Sequence, residues 1–206
     1  MVNHRCLIRA SLGRRAGAYR SAAAVCLLVF TIGNLLLPQK AVRAQQFPTE
    51  YQVKAAYLFN FLKFVEWPDD VPAGLRAHWV IGILGNSPVG EELEQVAAGK
   101  MVQGREIQIR RLQSRDDPRL CHILFISGSE KNNVTHILGL LHGSSVLAVA
   151  DTGQFLEWGG MIEFENEDNR IRLAINVAAT SKARLKVSSK LLSLARSVTG
   201  GQSGGE

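Results

Sequence analysis

Acidic residues are missing from the first 44 positions of this 206-residue chain. The same stretch carries seven basic groups: Arg5, Arg9, Arg14, Arg15, Arg20, Lys40 and Arg43. The formal net charge of +6 therefore sits at one end, and the remainder holds 17 basic against 18 acidic residues, a net of −1. No basic stripe is left in the body of the chain, so a nucleic-acid partner loses its main support. Cysteine is nearly as scarce. Cys6 and Cys26 lie in the first 44 positions, and beyond them only Cys121 occurs. One cysteine cannot form an intrachain bridge, which excludes a disulfide scaffold. Cys121 leads into the apolar run Ile123-Leu124-Phe125-Ile126 and reads as a small buried hydrophobe rather than a reactive or intermolecular thiol.

Catalytic signatures are absent as well. There is no G-x-G-x-x-G spacing, no Walker lysine loop and no G-x-S-x-G elbow. His122, His136 and His142 lack paired ligand spacing. His136 and His142 read as solvated. The acidic group Glu163, Glu165, Glu167 and Asp168 lacks the ligand order of a calcium loop and reads as a solvated hairpin tip. From the residues alone no metal, no cofactor and no catalytic residue is expected.

What is present begins with an address. Five arginines precede an apolar stretch over 22–37, and Val42-Arg43-Ala44 follows. A charged region, an apolar region and a small-residue cleavage site in that order form a signal peptide, with cleavage expected after Ala44. The apolar stretch is short for a membrane-spanning helix, which needs about 20 residues. An uncleaved N-terminal anchor is the alternative. Both readings put residues 45 onward outside the cytoplasm, in the periplasm if the cell is Gram-negative. No small-residue lipobox leads to Cys26.

Residues 45–199 read as one α/β domain, and the Gly/Ser-rich 200–206 as a frayed, disordered tail. A helix is predicted over 51–67, with Val53, Ala56, Tyr57, Phe59, Phe61 and Phe64 at roughly helical spacing and Pro68 as its stop. Thr49 is a candidate N-cap, with Tyr51-Gln52 spoiling a clean capping box. Short apolar strands are expected at 79–84, 106–112, 122–126 and 145–150, and helices at 89–98 and 130–141. The polar connection 165–170 joins strands 161–164 and 171–175 as a hairpin, and 188–198 closes the domain as a helix. This alternation predicts a three-layer α/β/α Rossmann-like sandwich with a mostly parallel sheet and a C-terminal antiparallel hairpin.

Ligands on such sheets bind at the carboxyl ends of the strands. Those ends carry Gly85-Asn86-Ser87, Ser127-Gly128-Ser129 and Asp151-Thr152-Gly153, which read either as a small-ligand site or as plain turns and caps. Phe59, Trp67, Asp151, Phe155 and Trp158 are the candidate partner or ligand surface, the aromatics being chosen for their capacity to anchor a partner if exposed.

Six collinear segments resemble one family: VKAAYLFNFLKFVEWP (53–68), ILGNSPVG (83–90), CHILFIS (121–127), VLAVADTGQFLEWGGMI (146–162), NRIRLAIN (169–176) and LKVSSKLLSLAR (185–196). Together they look like the YfiR or HmsC-like periplasmic proteins over about 51–197. The resemblance implies a Rossmann-like periplasmic domain, often a homodimer. It implies repression of a membrane-bound diguanylate cyclase through that enzyme's periplasmic sensor region. It also implies sequestration of the repressor by an OmpA-like outer-membrane lipoprotein, with cyclic-di-GMP and biofilm as the output. Asp151, Gly159 and Gly160 match the family's most recognisable loop, where the glycines read as backbone requirements and Asp151 as a turn or interface residue. Cys121 matches one family cysteine, but its partner cysteine has no counterpart in 45–206, so redox switching by an intrachain bridge is excluded. A periplasmic small-ligand sensor acting with a sensor kinase is the alternative. An exported hydrolase using Ser127, Ser129 or Asp151 is a distant third.

Overall fold

The structure, a computed structural model, describes residues 48–200. The expected signal peptide over 1–44 and the expected disordered tail beyond Gly200 lie outside the described residues. Thr49 opens the first helix, α1 (Glu50–Phe64), with a complete capping box. Its hydroxyl accepts from the Gln52 amide at 3.3 Å, and the Gln52 side chain accepts from the Thr49 amide at 3.1 Å. Gln52 thus completes the box it was expected to spoil, because a glutamine at the third helical position serves the same reciprocal role as glutamate. The helix also ends earlier than Pro68 would dictate. Val65 turns extended, and Val65–Glu66 (β1) pairs antiparallel with Lys186–Val187 (β9).

The buried face of α1 carries Lys54, Ala55, Leu58, Phe59, Phe61 and Leu62. Val53, Ala56, Tyr57 and Phe64, which the apolar periodicity placed inward, are only half-buried. The seam is rotated by one residue and includes a lysine.

Behind α1 lies an eight-stranded sheet of order β10-β8-β7-β6-β5-β2-β4-β3. Its parallel centre is β2 (His78–Leu84), β4 (Arg105–Leu112), β5 (Ile123–Ile126) and β6 (Leu147–Ala150), joined on one side by β7 (Ile162–Glu167). Every residue of β5 and β6 is buried, as expected for central parallel strands covered on both faces. The antiparallel β3 (Met101–Val102) closes one edge on β4. The crossover from β2 to β4 carries α2 (Val89–Ala97), and the one from β5 to β6 carries α3 (Val134–Leu140). These crossovers run in opposite directions along the sheet. With right-handed connections they put α2 and α3 on opposite faces, giving the α/β/α sandwich. Helix α1 packs against α2, while α3 and α4 (Val177–Lys182) line one groove on the other side.

β7 and β8 (Arg170–Asn176) form the expected hairpin, longer than the apolar pattern alone indicated. The turn is two residues, Asp168-Asn169, at φ 49° and 59°. Two consecutive left-handed residues of this kind match the right-handed twist of a hairpin. The predicted closing helix is the main departure. Only α5 (Ser189–Leu192) is helical, capped as expected by the Ser188 hydroxyl, which accepts from the Leu191 amide. Arg196 then donates its amide to Leu173, and Ser197–Thr199 (β10) runs parallel to β8. The helix predicted from 130 likewise begins as a 3-10 segment over Gly128–Asn133 before α3.

Candidate functional site

The switch point of the sheet lies between β2 and β5, where the chain order reverses, and a bound ligand is expected outside their carboxyl ends. Here the protein's own groups fill that position. Ser129 Oγ accepts from the Asn86 amide at 2.9 Å, and Ser127 Oγ donates to the Asn86 carbonyl at 3.0 Å while accepting from the Ser129 amide at 3.3 Å. Gly85 turns at φ 90°, and a Cβ on it would stand 2.5 Å from Ser129 Oγ. The serines therefore act as turn and cap groups that stitch two strand ends together.

Asp151, at the end of β6, is drawn into the same arrangement. Its Oδ1 accepts from the Gly128 amide at 2.9 Å, and its Oδ2 accepts from Lys54 Nζ at 2.7 Å. Lys54 is only 4% exposed and also pairs with Glu50 one helical turn earlier. Burial alone would depress the Lys54 ammonium, but the hydrogen bonds and charges of Asp151 and Glu50 outweigh it and raise its pKa. Glu50 reaches on to Asn166 in β7, whose side-chain amide donates to it at 3.1 Å. The network ties the first turn of α1 to the carboxyl ends of β5 and β6 and to β7. Lys54 escaped the sequence reading, although its spacing to Leu58, Phe61 and Val65 placed a lysine on an apolar stripe.

Two of the residues chosen for exposed-aromatic potential point inward. Phe155 is fully buried, and Phe59 lies in the core beneath the ammonium groups of Lys63 and Lys100. Trp158 is half-buried against the core, and Asp151 is half-buried in its ion pair. Trp67 is half-buried and joins an aromatic cluster described below. The family loop explains its glycine pair. Gly159 sits at φ 95°, and a Cβ on Gly160 would overlap the Phe155 ring. Gly160→Ala is expected to lose about 3 kcal/mol, the upper end of an overpacking penalty, read as a lower urea midpoint at unchanged m-value. The acidic turn is not uniformly solvated either. Glu163 is buried and accepts from the Leu156 amide at 3.3 Å, and burial raises its carboxyl above the ordinary range. His136 and His142 are exposed.

Cys121 is buried and unbridged among the described residues, and burial pushes its thiol up to about 11. Its thiolate fraction at neutral pH should be roughly a hundredfold below that of an ordinary thiol. Alkylation of the native protein by iodoacetamide is expected to be slower by at least that factor and to reach normal speed in guanidinium.

Two adjoining cavities lie at the opposite, amino end of β2 and β5. One of about 400 Å³ is bounded by Leu75, Cys121, Ser145 and Val146 and flanked by the ion pairs Asp70–Arg184 and Asp117–Arg119. Beside it, sharing Val71 and His122, lies a second of about 390 Å³. The latter is walled by Trp67 and Trp79, whose ring centroids are 5.1 Å apart, with His122 edge-on to both. Trp79 donates its indole N–H to the Val102 carbonyl at 2.9 Å, and Trp67 donates to the His122 carbonyl at 3.3 Å. Arg105 covers the Trp79 ring at 4.0 Å. His122 is buried, and that burial together with the Arg105 charge lowers its pKa to about 4. Among the described residues no group of three or more His, Cys, Asp or Glu is arranged to hold a metal ion. No described helix is long and apolar enough to cross a membrane.

The family model described as YfiR/HmsC-like matches residues 51–196. The chain belongs to this family. No curated protein matches the sequence. Among solved structures, a conserved domain protein from Vibrio cholerae O1 biovar El Tor strain N16961 is similar, with a TM-score of 0.50 at 11% identity. The match covers 73% of this chain and 60% of that one, so this YfiR/HmsC-like chain spans less than two thirds of its structural neighbour's length. At that identity the likeness concerns the fold alone.

Proposed function

We propose that this YfiR/HmsC-like protein is a periplasmic regulator that represses a membrane-bound diguanylate cyclase. It binds the enzyme's periplasmic sensor region and lowers cyclic-di-GMP and biofilm formation. The observation that carries the reading is family membership across 51–196. The export address over 1–44 is consistent with it. The mechanism is stoichiometric: the regulator holds the sensor region in its inactive state, and the equilibrium shifts only by the difference in its affinity for the two states. An OmpA-like outer-membrane lipoprotein would release the enzyme by competing for the repressor, and the active form would be a homodimer. No step is assigned to catalysis.

The test is affinity capture of the tagged protein from cross-linked envelopes of its own cells. Recovery of a membrane protein with a cytoplasmic diguanylate cyclase domain is the expected result. Capture of no such protein, from cells in which it is expressed, would contradict the reading. A ligand-sensing role alongside a sensor kinase is the second reading, favoured by the aromatic-walled cavity at the amino ends of the strands. The two are compatible, because a ligand can set partner affinity.

A further inference from the structure

The cavity beneath Trp67 and Trp79 is lined by two side chains that each hold a donor without an acceptor, Arg105 at Nε and His122 at Nε2. Arg105, the first residue of β4, sends its Nη2 to the Leu75 carbonyl and, at 2.6 Å, to the His78 carbonyl. Its buried Nε has no hydrogen-bond partner. Among the described residues no carboxylate lies within ion-pair distance of it, so the charge is held only by carbonyl dipoles and the Trp79 face.

The second donor is His122. Its Nδ1 accepts from the Val80 amide at 3.1 Å, which assigns the ring proton to Nε2. That Nε2–H stands 3.3 Å from Arg105 Nη2, donor against donor. The other tautomer offers no relief, since it would set Nδ1–H against the Val80 N–H. A buried donor without an acceptor carries the full desolvation cost of that group. An electron-pair donor from outside the chain would satisfy His122 Nε2–H and Arg105 Nε–H.

We propose that this cavity binds a small organic anion. One carboxylate or phosphate oxygen accepts from Arg105 and from His122 Nε2–H, and a flat apolar body lies against Trp67 and Trp79. The volume of about 390 Å³ is near the lower end for ligand pockets. Glu66 and Asp69 line the cavity with Arg76 and Arg105, so its formal charges sum to zero, but among the described residues no carboxylate is within ion-pair distance of Arg105. With no net positive field, the cavity suits a small anion held by direct hydrogen bonds and not a polyanion such as nucleic acid. The site lies away from the strand carboxyl ends, where the residues alone suggested a ligand, because there serines and Asp151 already satisfy the backbone donors. The inference deepens the ligand-sensing reading and is tested on the isolated protein, so its failure leaves the regulator proposal standing.

The test titrates the full chain with benzoate and phenyl phosphate, and with benzamide as the uncharged isostere of benzoate. Tryptophan fluorescence and the His122 ring resonances report binding. The expected result is saturable binding of at least one anion, at least about tenfold weaker binding of benzamide, and a rise in the His122 pKa on saturation. Preference between the two anions separates a carboxylate from a phosphate ligand. Arg105→Lys keeps the charge but removes the fork and should weaken binding at least about tenfold. Trp67→Phe should weaken it less. It also serves as the second variant if Arg105→Lys fails to fold. Equal binding of benzoate and benzamide, no saturable binding of either anion, or unchanged affinity in the folded variants would overturn the proposal.

Discussion

Replacing Asp151 by alanine is expected to destabilise the domain by about 3 kcal/mol, because it strands a buried ammonium. Lys54 is held by Asp151 at 2.7 Å and by the more exposed Glu50, so the loss is partial rather than complete. The substitution also removes the acceptor of the Gly128 amide. Lys54→Met leaves a half-buried carboxylate that keeps the Gly128 hydrogen bond and has some access to water, so its expected loss is smaller, about 2 kcal/mol. The double variant Lys54→Met/Asp151→Ala should be much less than additive, with a coupling of about 2 kcal/mol, since no unpaired buried charge remains. Urea unfolding of the four proteins measures this cycle. Additive losses, or an Asp151→Ala loss below about 0.5 kcal/mol, would mean that the pair is solvated and does not fasten α1 to the sheet. The Lys54 contribution is insensitive to ordinary pH. A raised lysine pKa stabilises fully below the unfolded value and is lost only in strong alkali, as pH rises through the folded value.

His122 predicts a second large effect, with the opposite window. Its folded pKa of about 4 lies below the ordinary 6.5, so the unfolded chain binds the proton more readily. Stability is therefore whole above pH 6.5 and declines as pH falls toward 4. At about 1.4 kcal/mol per unit the full loss is about 3 kcal/mol. His122→Asn offers the Val80 amide an alternative acceptor while removing the titration. It should flatten the fall between pH 7 and pH 4 by about that amount, whatever it does to stability at pH 7. Glu163 works the other way, because its raised pKa makes folding easier once it is protonated. Glu163→Gln is the control that isolates the histidine. An unchanged slope in His122→Asn would show that His122 titrates in the folded protein as it does in water.

The same residues explain what could be read from the sequence. β5 and β6 were legible because strands buried on both faces consist of unbroken apolar runs, and the β7–β8 hairpin because a polar turn separates two such runs. The closing helix was not. Leu191, Leu192, Leu194 and Ala195 present a helical stripe, yet pairing of Ser197–Thr199 with β8 decides the backbone after Leu192. The two-residue strands β1 and β9 leave no periodic signal at all. Phe59 and Phe155 could be recognised as important aromatics, but which way they point depends on packing. The Lys54–Asp151 pair spans 97 positions, and Arg105, Trp79 and His122 meet only because β4, β2 and β5 are neighbours in the sheet. Such groupings come from topology, and no local pattern announces them.

The regulator reading is tested most directly by cellular cyclic-di-GMP. It should be measured in a strain lacking this protein and in the same strain supplied with an export-competent copy. Cyclic-di-GMP should rise on deletion, and complementation should reverse the rise. A copy lacking residues 1–44, and so confined to the cytoplasm, should fail to reverse it. Unchanged cyclic-di-GMP on deletion, or full rescue by the cytoplasmic copy, would contradict a periplasmic repressor.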